Sequence, residues 1–225
     1  MNPIVLLHGA LGASSQLESL AMQLRAAGRT VHTLNFSGHA GEPFSDHGFG
    51  IEVFADDLLR YLNQHQLKQV DIFGYSMGGY VALWLANTQP TRVGKMVTLG
   101  TKFDWSIESA EKEVKKMNAE KIEEKVPAFA RLLQQRHAPN DWKVLIHKTA
   151  QMMQALGTKP LLTEQILTSI THSVTILLGD QDDMADRSYS QQVAQWLPSG
   201  EFQLLPNTPH PIEKVNLPLV LSHLQ

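Results

Sequence analysis

The string Gly74-Tyr75-Ser76-Met77-Gly78 carries the clearest chemical content in the sequence. It directly follows the β-type run Val70 to Phe73 and directly precedes the helical run Tyr80 to Ala86. A serine forced onto a tight strand-to-helix turn presents its hydroxyl, and flanking glycines remove side chains that would collide there. The following helix points its positive end at the same place, which favours a developing anion. A serine hydroxyl is a poor nucleophile at neutral pH, so Ser76 needs a base, and the base needs an orienting acid. The stretch after Gly179 offers three acids, Asp180, Asp182 and Asp183. His210, between Pro209 and Pro211, follows the last β-type run and is the candidate base.

Attack on a carbonyl also needs N–H donors for the oxygen that becomes negative. The residue after the nucleophile, Met77, supplies one backbone candidate. The segment His8-Gly9-Ala10-Leu11-Gly12 follows the first β-type run and supplies the other, with Ala10 as the expected donor. Among the ten histidines, His210 alone combines the right loop with the right place in the chain order. His32, His65 and His223 read as surface or packing residues. His39 and His47 fall in a glycine-rich loop that could line a site. His137, His147 and His172 belong to a later segment with no fixed relation to Ser76. With no cysteine, disulfides, thiolate metal sites and cysteine nucleophiles are excluded together. The acidic cluster Asp180 to Asp186 lacks the glycine and terminal glutamate of a calcium loop. No metal or cofactor is expected.

These residues need elements to bring them together. Ile4 to Leu7 reads as a strand buried on both faces, and Ser14 to Ala27 as a helix stopped by Gly28. Thr30 to Phe36 predicts a strand and Ser37 to Gly50 a loop. Ile51, Phe54, Leu58 and Tyr61 recur at helical spacing, and Val93 to Leu99 is a further strand. Such alternation argues for a parallel sheet wrapped by helices. The pattern breaks from Asp104 to Lys125, where twelve of twenty-two residues are charged. Val114, Met117, Ile122 and Val126 keep one helical stripe up to Pro127. Phe129, Leu132 and Leu133 suggest a second helix, and a third runs from about Asp141 to Gly157. Alternation resumes at Val174 to Gly179. A helix capped by Asp186, a strand Phe202 to Leu205 and a terminal helix capped by Asn216 complete the chain. The expected organisation is an α/β core, residues 1–103 and 170–225, interrupted by a helical cap, residues 104–169.

The chain resembles the α/β-hydrolase superfamily, close to its small serine esterase branch of BioH-like and MenH-like enzymes. The resemblance rests on His8-Gly9 after the first strand, the elbow Gly74 to Gly79, Gly179-x-x-Asp182, and His210 before the terminal helix. The order serine, aspartate, histidine is the family's own. The family's usual Gly-x-x-Asp spacing selects Asp182, so the resemblance implies a triad of Ser76, Asp182 and His210. Two departures stand out: Asn35-Phe36-Ser37-Gly38-His39-Ala40-Gly41-Glu42 matches the family's usual segment only in part, and Pro209 replaces the usual glycine before the histidine. The family often begins with two further strands, so the expected fold is a mostly parallel sheet lacking the first two.

The expected activity is hydrolysis of a small or medium hydrophobic carboxylic ester through an acyl-serine intermediate. The same triad serves lyases, C–C bond or thioester hydrolases and perhydrolases, and a ligand-binding protein without catalysis is a further alternative. Leu11, Tyr75, Trp105, Met117, Phe129 and Met152 are the expected substrate-binding residues. Nineteen basic against twenty-two acidic side chains give a net charge of −3 and no basic field for nucleic acid. No apolar stretch approaches the roughly 20 residues needed to span a bilayer, and Ile4 to Leu7 is too short for a signal-peptide core. A small-molecule ester is therefore the expected partner, without nucleic acid or membrane, and the expected location is cytoplasmic. The oligomeric state is not legible.

Overall fold

A computed structural model describes residues 2–224, so residues 1 and 225, the outermost positions of the expected core, lie outside the described residues. Six strands form one sheet: β1 (Ile4–Leu7), β2 (Val31–Thr33), β3 (Val70–Tyr75), β4 (Val93–Leu99), β5 (Val174–Gln181) and β6 (Gly200–Pro209). Their order is β2-β1-β3-β4-β5-β6, and every pairing is parallel. Parallel strands need helical crossovers, which cover both faces of the sheet. These include α1 (Glu18–Ala26), α2 (Ile51–Gln64), α3 (Met77–Thr88), α9 (Arg187–Trp196) and α10 (Leu217–Leu221).

Alternation within β1 sorts the core into two layers. Ile4 and Leu6 pack with Leu20 and Leu24 of α1 and Val220 of α10. Val5 and Leu7 pack on the other face, with Phe54 and Leu58 of α2 and Tyr80 of α3. Between β4 and β5 lie five helices: α4 (Ile107–Val114), α5 (Ala119–Lys125), α6 (Pro127–His137), α7 (Trp142–Thr158) and α8 (Glu164–Ser169). Leu133, Trp142, Leu145 and Ile146 form a separate small core that also takes in Leu11. Met152, Leu156, Leu162 and Leu167 instead join the layer on the α2–α3 face of the sheet.

Several boundaries depart from the sequence expectation. The first helix opens as a 3-10 turn, Ser14–Leu17, before α1. β2 stops at Thr33, short of Phe36, because it is an edge strand whose only neighbour, β1, pairs with it through Leu6↔Thr33 and ends one residue later. β6 runs on to Pro209 because β5 extends to Gln181 and pairs with it there. The stripe from Val114 to Val126 is two helices, not one. The Asn118 side chain accepts the Lys121 N–H at 2.8 Å and starts α5 afresh, as a capping asparagine does. α8 escaped the sequence reading; Thr163 caps it. Asn216 stands at the N-cap of α10, yet its side chain makes no capping bond. No helix among the described residues is long and apolar enough to cross a membrane.

Candidate active site

β3 ends in the elbow. Ser76 has φ +51°, a left-handed conformation that a non-glycine residue adopts at a cost of roughly 1–3 kcal/mol. Its neighbours hold it there: Ser76 N–H donates to Leu99 O at 2.8 Å, and Thr101 Oγ1 donates to Ser76 O at 2.9 Å. Glycine is required around it, since a Cβ on Gly74 would run into the Gly79 backbone and one on Gly78 into Leu7 O. Ser76 is half-buried and immediately precedes the first residue of α3. Met77 N–H therefore lies at the positive end of a helix and has no intrahelical partner.

The carboxyl ends of β5 and β6 bring the second pair. His210 Nδ1–H donates to Asp182 Oδ2 at 2.7 Å, which leaves Nε2 as the basic nitrogen. Asp182 Oδ1 accepts the backbone N–H groups of Met184 and Ala185 at 2.9 and 3.0 Å. Burial pushes the Asp182 carboxyl up, but the His210 bond and charge and these two amides outweigh it and hold it below the ordinary value. The neighbouring Asp180 instead accepts Thr208 N–H at 3.0 Å and ties β6 to β5. Asp183 makes no comparable bond among the described residues. The Tyr75 hydroxyl donates to His210 O at 3.0 Å, so the residue beside Ser76 anchors the histidine loop. Burial pushes that hydroxyl's pKa upward, which keeps it protonated as a donor.

Ser76 and His210 face one cavity of about 650 Å³ beneath the inserted helices. All six expected binding residues, Leu11, Tyr75, Trp105, Met117, Phe129 and Met152, lie on its wall together with Ala10 and Met77. Ser76 and His210 share no hydrogen bond among the described residues, as is common before a substrate tightens such a site. Ala10 N–H also finds no acceptor among the described residues. The arrangement offers a strained hydroxyl, an oriented imidazole and two free amides around an apolar chamber. Among the described residues no group of acidic or histidine side chains is arranged to hold a metal.

Residues 2–155 match the family described as alpha/beta hydrolase fold. The chain belongs to this family. Among curated α/β-hydrolase relatives, the sn-1-specific diacylglycerol lipase ABHD11 of Xenopus laevis is 34% identical over 98 residues, 43% of this chain and 31% of that protein. The match therefore spans about a third of that relative's length. The Mus musculus protein of the same name is 26% identical over 236 residues, 92% of this chain and 74% of its own. Among solved α/β-hydrolase structures, one from work on carboxylesterases of Nitrososphaera gargenis superposes with a TM-score of 0.78. It is 17% identical, with 99% of this chain and 89% of the other covered, a likeness of fold.

Some residues that build this α/β-hydrolase site were not legible in the sequence. Just after β4, Gly100 leaves room for the Asp182–His210 pair and Thr101 holds the elbow through Ser76 O. His137, read as unrelated to Ser76, is fully buried against the Ala10–Leu11 loop, because α6 folds back over the site. Its one sequence signal was its place four residues after apolar Leu133, on the same face of the helix.

Proposed function

We propose that this chain is a serine hydrolase that cleaves a small or medium hydrophobic carboxylic ester through an acyl-serine intermediate. The supporting observation is the Asp182–His210 pair, 2.7 Å apart, on the same cavity as a serine held at a strained elbow. In this reading His210 Nε2 takes the Ser76 proton as Oγ attacks the ester carbonyl. The oxyanion is held by the Ala10 and Met77 amides, each worth roughly 3 kcal/mol in comparable sites. Collapse breaks the bond to the alcohol oxygen, which leaves with the proton from His210. Water then gives a proton to His210, attacks the acyl-Ser76 carbonyl and releases the acid, returning the proton to Ser76. Asp182 keeps the imidazole in the working tautomer and stabilises its charged form.

Helices from residues 104–169 act here as the cap that closes the chamber, and their apolar side chains favour an apolar acyl group. The relatives named as lipases point the same way, as does the small-esterase resemblance. The test is hydrolysis of p-nitrophenyl esters from acetate to octanoate. Turnover should be greatest for uncharged short or medium chains and should fall at least about a thousandfold in Ser76→Ala with its fold intact. Undiminished turnover in Ser76→Ala overturns the assignment. A fluorophosphonate probe should label Ser76, whereas a binding protein need not activate its serine.

A further inference from the structure

α6 holds the loop that carries the proposed Ala10 donor. At its last residue, the His137 imidazole spans two loops of the core. Ala40 N–H donates to Nδ1 at 3.0 Å, so the ring proton is on Nε2, which donates to Leu11 O at 2.9 Å. Both contacts fall on non-glycine residues with positive φ, +56° at Leu11 and +49° at Ala40. Such conformations persist only where the surroundings fix them. The preceding residue reinforces the first contact, since Arg136 Nη1 donates to the same Leu11 carbonyl at 3.0 Å. The core's own bonds in this loop, from His8 Nδ1–H and Gly12 N–H, both end on Gly9 O. Among the described residues Leu11 O has no partner outside α6.

We propose that His137, seconded by Arg136, is a positioning residue that sets the oxyanion hole: it fixes the Leu11–Gly12 peptide, whose Gly12 N–H donates to Gly9 O at 3.1 Å, and so holds the Gly9–Ala10 peptide with its Ala10 N–H aimed at the oxygen developing over Ser76. The inference rests on the hydrolase reading above. It makes the inserted helices part of the catalytic geometry as well as the chamber wall. Displacing α6 would free Leu11 and weaken the reaction with Ser76, Asp182 and His210 all in place.

The experiment compares His137→Phe, which fills the space without a donor, with His137→Gln, whose amide can donate to Leu11 O. On p-nitrophenyl butyrate, His137→Phe should lower kcat roughly 10- to 100-fold, the range expected for a misplaced donor, while KM changes by less than about threefold. His137→Gln should recover most of that loss. Affinity for an alkylboronic acid, which becomes tetrahedral and anionic on the serine, should fall in parallel with kcat/KM. Equal kcat for the Phe and Gln variants, or a His137→Phe kcat within about twofold of the parent, overturns the proposal. Should His137→Phe not fold, His137→Leu, smaller and equally without a donor, takes its place, and a kcat there within about twofold of the parent overturns it equally. A parent protein without Ser76-dependent turnover would instead defeat the hydrolase reading itself, a distinguishable result.

Discussion

Gly100 closes β4 with φ +61°, and a Cβ there would stand 2.9 Å from Asp182 Oδ2 and 3.1 Å from His210 Nδ1. Gly100→Ala should therefore cost twice. Left-handed backbone with a side chain costs roughly 1–2 kcal/mol, lowering Tm by a few degrees. Pushing the acid away from the base should lower kcat at least about tenfold, beyond what lost folding explains. Thermal melts beside p-nitrophenyl butyrate kinetics check this; full activity would separate the Asp182–His210 pair from catalysis. The proposed nucleophile and base were legible because each sits in a short string with its own meaning, Gly-x-Ser-x-Gly and the Pro-His-Pro loop after the last strand. Gly100 was not, because its partners lie more than eighty residues further along the chain. Asp182 falls between these cases: by residue type the three acids look alike, the family's Gly-x-x-Asp spacing alone picks one, and the bonds with Met184, Ala185 and His210 set that one apart from its neighbours.

Helices and strands meet most tightly where α6 covers the loops after β1 and β2. Three buried histidines, His8, His39 and His137, stand there with ring centroids 5.0 and 5.8 Å apart, and Arg136 adds a cation. Burial above all, then the neighbouring positive charges, holds His8 and His137 at about 4 and His39 well below its ordinary value. The unfolded chain takes up these protons near pH 6.5, whereas the folded one refuses those of His8 and His137 until about pH 4 and holds His39 neutral well below its ordinary value. Unfolding is thus favoured progressively as pH falls through that window, and the full stability is present above it. Stability should decline from pH 6.5 toward 4 by on the order of a few kcal/mol, with Tm falling accordingly, and the ring resonances of His8 and His137 should still report neutral imidazole at pH 5. A flat Tm across this range, or protonated rings at pH 5, would contradict the buried cluster. The elements carrying the cluster were only partly foreseen. Apolar periodicity located α6 and α7, but it ran through the break at Asn118, since a cap competes with periodicity at the price of one turn.

Taken whole, the molecule is a parallel sheet whose carboxyl edge gathers every proposed functional group from loops distant in sequence. The alternation of strand and helix made this frame legible, since continuous apolar runs closed by glycine have few other uses. The chamber above it was less legible, because an apolar face on an inserted helix reads the same whether it meets core or substrate. Met152 and Leu156 do both: they belong to the packed layer and to the chamber wall. The wall has one further property. Of the four tryptophans, Trp105 alone among the described residues borders the chamber, with the Lys102 ammonium 5.4 Å from its ring. Indole fluorescence responds to nearby charge and water, so the molecule carries its own optical gauge of occupancy. A compound entering the chamber should shift that emission in the Ser76→Ala form and leave Trp105→Phe silent, so candidate substrates can be ranked before any product is identified.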